Sequence, residues 1–110
     1  MVSIATFRKI ALSFPEANEE PHFEKTSFRV NKKIFATLNE KENRATILLS
    51  AADQDVFCMY DESVMYPVPN KWGKQGWTHI NLKTIRKEMC VDALTISYCK
   101  VARKNLPLPD

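Results

Sequence analysis

A chain of 110 residues, 45% hydrophobic and 26% charged, has the make-up of one soluble domain spanning 1–110, with no room for a second core. No apolar run approaches the roughly 20 residues of a membrane span, and Met1 to Phe14, broken by Arg8 and Lys9, reads as an amphipathic helix rather than a signal peptide. The net charge of +3 is modest but unevenly spread: no acid falls between Glu62 and Glu88, a window that holds Lys71, Lys74, Lys83, Arg86 and Lys87.

In chain order, Ser3 is placed to cap a first helix. Its stripe is Ile4, Phe7, Ile10 or Ala11, and Phe14, and Pro15 ends it. Glu16 to Pro21 reads as an acidic linker. Three strands follow. Phe23 to Val30 is the first, then a turn at Asn31-Lys32-Lys33, then Ile34 to Leu38, a polar turn from Asn39 to Asn43, and Arg44 to Leu49. Neither turn carries Asn-Gly, so loops longer than the tightest hairpin are expected. Ser50 caps a second helix with Asp53 at the capping-box position, and Ala52, Val56, Met59 and Tyr60 form its inward stripe. Val64 to Val68, bounded by prolines, suits an edge strand. Trp77 to Leu82 alternates, with Trp77, His79 and Asn81 on one face. A final helix runs from Thr84 to about Asn105 and stops before Pro107. The expected fold class is α+β: a twisted antiparallel sheet of about five strands with helices packed on one face, in the order α-β-β-β-α-β-β-α.

Both glycines and both tryptophans fall in Trp72-Gly73-Lys74-Gln75-Gly76-Trp77, preceded by Pro67, Pro69, Asn70 and Lys71. Prolines fix φ and glycines reach conformations closed to other residues, so a tight, shaped loop is expected. Trp77, at the start of a strand, reads as core. Trp72 has two evenly matched roles, a buried anchor or an exposed aromatic.

Reaction motifs are absent. There is no GxGxxG, P-loop or nucleophile elbow. His22 and His79 lack a second ligand at metal spacing, so neither metal nor cofactor is expected. Asp53 and Asp55 do not share a helix face. Cys58, Cys90 and Cys99 lack CxxC or CxxH spacing and read as free thiols of a cytoplasmic protein, with Cys90 and Cys99 as packing residues. Nothing here points to an enzyme.

Several segments together resemble the MmcQ/YjbR family of small bacterial proteins. They are Phe14-Pro15-Glu16, Ser27-Phe28-Arg29-Val30 with Lys33 to Leu38, Pro69-Asn70-Lys71 running to Trp77, Asn81-Leu82, Ser97-Tyr98 with Val101, and Leu106-Pro107. The Gly-Lys-Gln-Gly inside the loop is an addition to that pattern. The resemblance implies a fold like that of CyaY and frataxin, and DNA binding through a "double wing" of β-hairpins. Iron binding is disfavoured, because the first helix carries Arg8 and Lys9 and no ridge of carboxylates.

The functional expectation is a monomer that binds DNA weakly and with little sequence preference. Arg29, Lys32, Lys33, Lys71 and Lys74 would neutralise phosphates, Trp72 would supply an aromatic contact, and Gln75 would reach a base edge. Two alternatives stand beside it: a small-molecule pocket walled by Trp72, and a protein-interaction patch around Phe35 and Tyr66.

Overall fold

The computed structural model of the chain describes residues 1–103, so the expected helix stop at Asn105 and Pro107 lies outside the described residues. Helix α1 (Ile4–Leu12) starts where Ser3 Oγ accepts from the Thr6 N–H at 3.0 Å, and it buries Phe7 and Ala11. Strands β1 (Asn18–His22), β2 (Lys25–Val30), β3 (Lys33–Asn39) and β4 (Arg44–Leu48) form a meander. Then come α2 (Ala51–Tyr60), β5 (Met65–Pro67), the one-turn helix α3 (Lys71–Lys74), β6 (Trp77–Asn81) and α4 (Lys87–Ala102).

The six strands make one antiparallel sheet in the order β1-β2-β3-β4-β6-β5. Helix α4 crosses β2, β3 and β4, α1 packs beside it, and α2 packs against β5. Cross-strand register sorts the side chains onto two faces. Phe28, Ala36, Ile47 and Thr78 form one row under the helices, and Leu38, Ala45, Ile80 and Met65 form the next. These residues are buried and make the core with Phe7, Leu94 and Tyr98. The alternate row, Glu20, Ser27, Thr37, Thr46, His79 and Tyr66, crosses the whole sheet on the face that carries no helix.

Helix α4 is joined to the sheet by Ser97 and Tyr98. A bulge between Phe28 and Arg29 leaves Phe35 without a partner in β2. Its carbonyl accepts from Ser97 Oγ at 2.8 Å, and Ser97 Oγ in turn accepts from the Leu48 N–H at 3.2 Å. The Tyr98 ring stacks on Phe14 at 4.8 Å and meets Phe35 edge-on at 5.6 Å, while its hydroxyl donates to the Pro15 carbonyl at 2.6 Å. Every polar group in this buried joint therefore has a partner.

Several expectations are corrected. The acidic linker is largely the edge strand β1: Arg8 on α1 holds Glu19 of β1 at 2.9 Å, and Pro21 is tolerated because the strand is at an edge. The sheet thus has six strands. The β2–β3 hairpin is of the tightest kind, with Asn31 and Lys32 both left-handed at φ 52° and 66°, so Asn-Lys performs the turn usually given to Asn-Gly. Phe35 is fully buried by the bulge and offers no interaction patch. Helix α4 begins at Lys87, because Thr84 and Ile85 turn back onto the Asn81 carbonyl and Ile85 enters the core.

Helix α2 is rotated from its expected setting. Val56, Met59 and Tyr60 face solvent, and Ala52 is exposed, while Gln54 is buried. Its side-chain amide lies 2.9 Å from the Gly73 carbonyl, 3.1 Å from Thr78 Oγ1 and 3.3 Å from the Trp77 carbonyl. Setting this amide inward keeps its own buried N–H groups hydrogen-bonded, where leaving them unpartnered would cost about 1–3 kcal/mol.

The glycines are required by close backbone approach. A Cβ on Gly73 would collide with the Val68 carbonyl. One on Gly76, which sits at φ +106°, would collide with the Leu49 carbonyl. Gly76→Ala is expected to destabilise the protein by about 2–4 kcal/mol in urea unfolding, against less than about 0.5 kcal/mol for Gln75→Ala one position earlier. Equal effects at the two positions would contradict this packing.

Candidate functional site

On the helix-free face the sheet twists into a trough of about 420 Å³. Its floor is the Thr37, Thr46 and His79 segment of the cross-sheet row. Half-buried Ile34, Val68 and Trp77 form its apolar walls. Trp72 stands at one end, and His22 and Lys25 at the other. No carboxylate lines it.

Local chain geometry sets each wall. Asn70 caps α3, its Oδ1 accepting from the Trp72 N–H at 2.8 Å. The Gly73 carbonyl is held by Gln54, and the Gly76 carbonyl accepts from the Leu49 N–H at 2.9 Å. The loop is thus tied to both α2 and the end of β4, and Trp72 projects from a fixed base with 49% of its surface exposed. Lys71 Nζ sits 5.9 Å from the Trp72 ring centre, within cation–π range. Trp77 does not enter the core as expected. As the first residue of β6 it shares the open face with His79 and forms a trough wall.

His79 supplies a neutral polar group at the floor. Its Nδ1 is 2.8 Å from Thr46 Oγ1, and the Tyr66 ring meets its edge at 5.3 Å. Burial first, then the positive charges of Arg44 and Lys25, lower its pKa from 6.5 to about 4. No side chain among the described residues hydrogen-bonds Nε2, and no buried side-chain polar atom lacks a partner, so Nε2 retains solvent contact. The imidazole can offer a donor or an acceptor there but no charge at neutral pH.

The cations named from the sequence are not equally available. Register aligns the start of β3, the end of β4 and the start of β6. The Asn31-Lys32 turn and α3 therefore leave the same end of the sheet, with β3 and β6 two strand spacings, about 10 Å, apart. Lys32, Lys33, Lys71, Lys74 and Gln75 are all exposed there. Arg29 is different: its Nε donates to Ser27 Oγ at 3.0 Å and lies 3.7 Å from a Glu20 oxygen, so an internal partner already engages it. Sequence reading missed Lys25, Ile34, Thr37, Thr46, Val68 and His79 as site residues. The alternation of Trp77, His79 and Asn81 was the available signal.

The cysteines carry no comparable chemistry. Burial pushes the Cys90 thiol up to about 12, and burial followed by the charge of Asp55 raises Cys58, so both stay protonated. Among the described residues no group of three or more His, Cys, Asp or Glu gathers as a metal site. No described helix is long and apolar enough to cross a membrane.

These features define an α+β domain with helices on one sheet face and an aromatic, acid-free trough on the other. The chain belongs to the YjbR family, whose family model matches residues 12–100. The crystal structure of Deinococcus radiodurans protein DR2400, described as a DUF419 domain, superposes with a TM-score of 0.82 at 18% identity, covering 97% of this chain and 83% of that one. At that identity the likeness is one of fold. No curated protein matches the chain.

Because the folded imidazole resists protonation, the unfolded chain takes up an extra proton between pH 6.5 and about 4. Stability is therefore expected to fall as pH drops through that window, by about 1–2 kcal/mol from His79 once the solvent contact at Nε2 is allowed for. Urea unfolding at pH 7 and pH 4.5 checks this. The drop should be clearly smaller in His79→Gln, and an unchanged drop would show that His79 titrates normally.

Proposed function

We propose that this domain binds DNA weakly and with little sequence preference, through the end of the sheet that carries the β2–β3 turn and α3. The observation that carries the reading is the common location of four exposed lysines, Lys32, Lys33, Lys71 and Lys74, beside a half-exposed indole. Cations on such short, firmly held projections neutralise phosphates and release counterions, which gives affinity without reading sequence. Gln75, exposed beside Lys74, adds a side chain able to donate and accept at a base edge. The internal pairing of Arg29 with Glu20 removes it from the first rank of phosphate contacts.

Fluorescence anisotropy with a labelled duplex, titrated between about 50 and 200 mM salt, tests the reading. Affinity should fall steeply with salt, and Lys71→Ala with Lys74→Ala should weaken it and lower the salt slope by about two. An affinity indifferent to both salt and these substitutions would dispose of the proposal.

A further inference from the structure

The trough has a division of chemistry that the exposed lysines alone do not require. Its floor and walls are uncharged: two threonine hydroxyls, a neutral imidazole, an aliphatic pair and the Trp77 indole. Its positive charge stands at the two ends. Lys71 and Lys74 flank Trp72 at one, and Lys25 lies at the other. The β1–β2 turn beside Lys25 also exposes an aromatic. Phe23 is 95% exposed and held left-handed at φ 59°, an unusual conformation for a bulky residue.

Nucleotides divide in the same way, into a flat uncharged base and an anionic phosphate. A base fits a trough with an aromatic wall and a few polar groups on its floor, and 420 Å³ falls in the roughly 300–1,000 Å³ range of ligand sites. A phosphate would find no cation on the floor and would stay at an end, near a lysine. A duplex cannot use this site, because its bases are stacked and paired. Resting on the DNA-binding reading above, we infer that the open face of the sheet is a site for an unpaired nucleobase, stacked on Trp72 or Trp77 over Thr37, Thr46 and His79, with its phosphate at the flanking lysines.

The base could come from a single strand or from a free nucleotide. The arrangement favours a strand. Lysines stand at both ends of the trough, Lys71 and Lys74 beside Trp72 and Lys25 opposite, so one phosphate has a partner before the bound base and another after it. Stacking on such platforms tolerates any base, because each presents a π face.

Four labelled or competing probes at one low salt concentration test this: a thymidine 12-mer, the same strand paired with its complement, an abasic 12-mer with the same phosphates, and thymidine monophosphate. The single strand should bind about tenfold tighter than the duplex and the abasic strand, with quenching of tryptophan fluorescence. Trp72→Ala, a change at an exposed position, should erase most of that preference, lowering single-strand affinity by a much larger factor than duplex affinity. Competition by the monophosphate as strong as that of the strand would support the base site and identify a free nucleotide as its occupant. Equal binding of strand, duplex and abasic strand would overturn the inference and leave the electrostatic reading standing. Binding to none of the four would overturn both. Ile34→Glu, which puts a charge on the trough wall, gives a second check: it should remove the single-strand preference, and retention of that preference would place the base elsewhere.

Discussion

The site depends on two backbone contacts that only glycine permits. Gly73 lies against the Val68 carbonyl and Gly76 against the Leu49 carbonyl, and these approaches draw the loop between β5 and β6 onto the end of the sheet. Gln54 reaches across from α2 to this loop, adding a donor to the Gly73 carbonyl and to Thr78 Oγ1, and this buried polar tie goes with a rotation of the helix that turns Val56, Met59 and Tyr60 outward. A local steric fact at two positions thus fixes the aim of an exposed indole. Trp72 is displayed from a rigid support, so less conformational freedom is lost when it meets a flat partner.

Charge and polarity are separated along the same face. The interior of the trough keeps its one titratable floor group neutral at physiological pH, because burial and two nearby cations oppose a proton on His79. Lysines stand at the ends, where water solvates them and salt screens them. Attraction at a distance and selection at close range are therefore assigned to different side chains. The family match and the fold likeness to DR2400 define the scaffold. The chemistry proposed for it is drawn from these particular residues.

Much of the architecture was legible in the sequence. Ser3 and Ser50 mark helix starts, Pro67 and its neighbours mark an edge, and the alternation in Ala45, Ile47 and Leu49 marks a buried strand face. The misreadings have physical causes. β1 hides behind acids and a proline because an edge strand tolerates both. The Asn31-Lys32 turn hides because Asn can take a left-handed conformation without a glycine beside it. Helix α2 is misleading because its apolar stripe faces solvent, and the buried tie of Gln54 to the glycine loop and Thr78 joins residues far apart in the chain. The loop itself was conspicuous, since all the glycine and tryptophan of the chain is concentrated there. The trough was not, because its floor takes one outward residue from each of three strands, and no linear pattern joins Thr37, Thr46 and His79. Arg29 shows the converse: its charge is plain in the sequence, and the Glu20 beside it lies on a strand whose acids and proline resemble a linker.

The central claim is that both indoles of the glycine loop face a ligand on the open sheet. Proton–nitrogen correlation spectra, titrated with a short thymidine strand at low salt, test it directly. The account predicts that the Trp72 and Trp77 indole N–H signals and the amides of β6 shift together, and that the shifts vanish as salt is raised. Binding accompanied by shifts confined to α2 or α4, with both indoles unmoved, would contradict it.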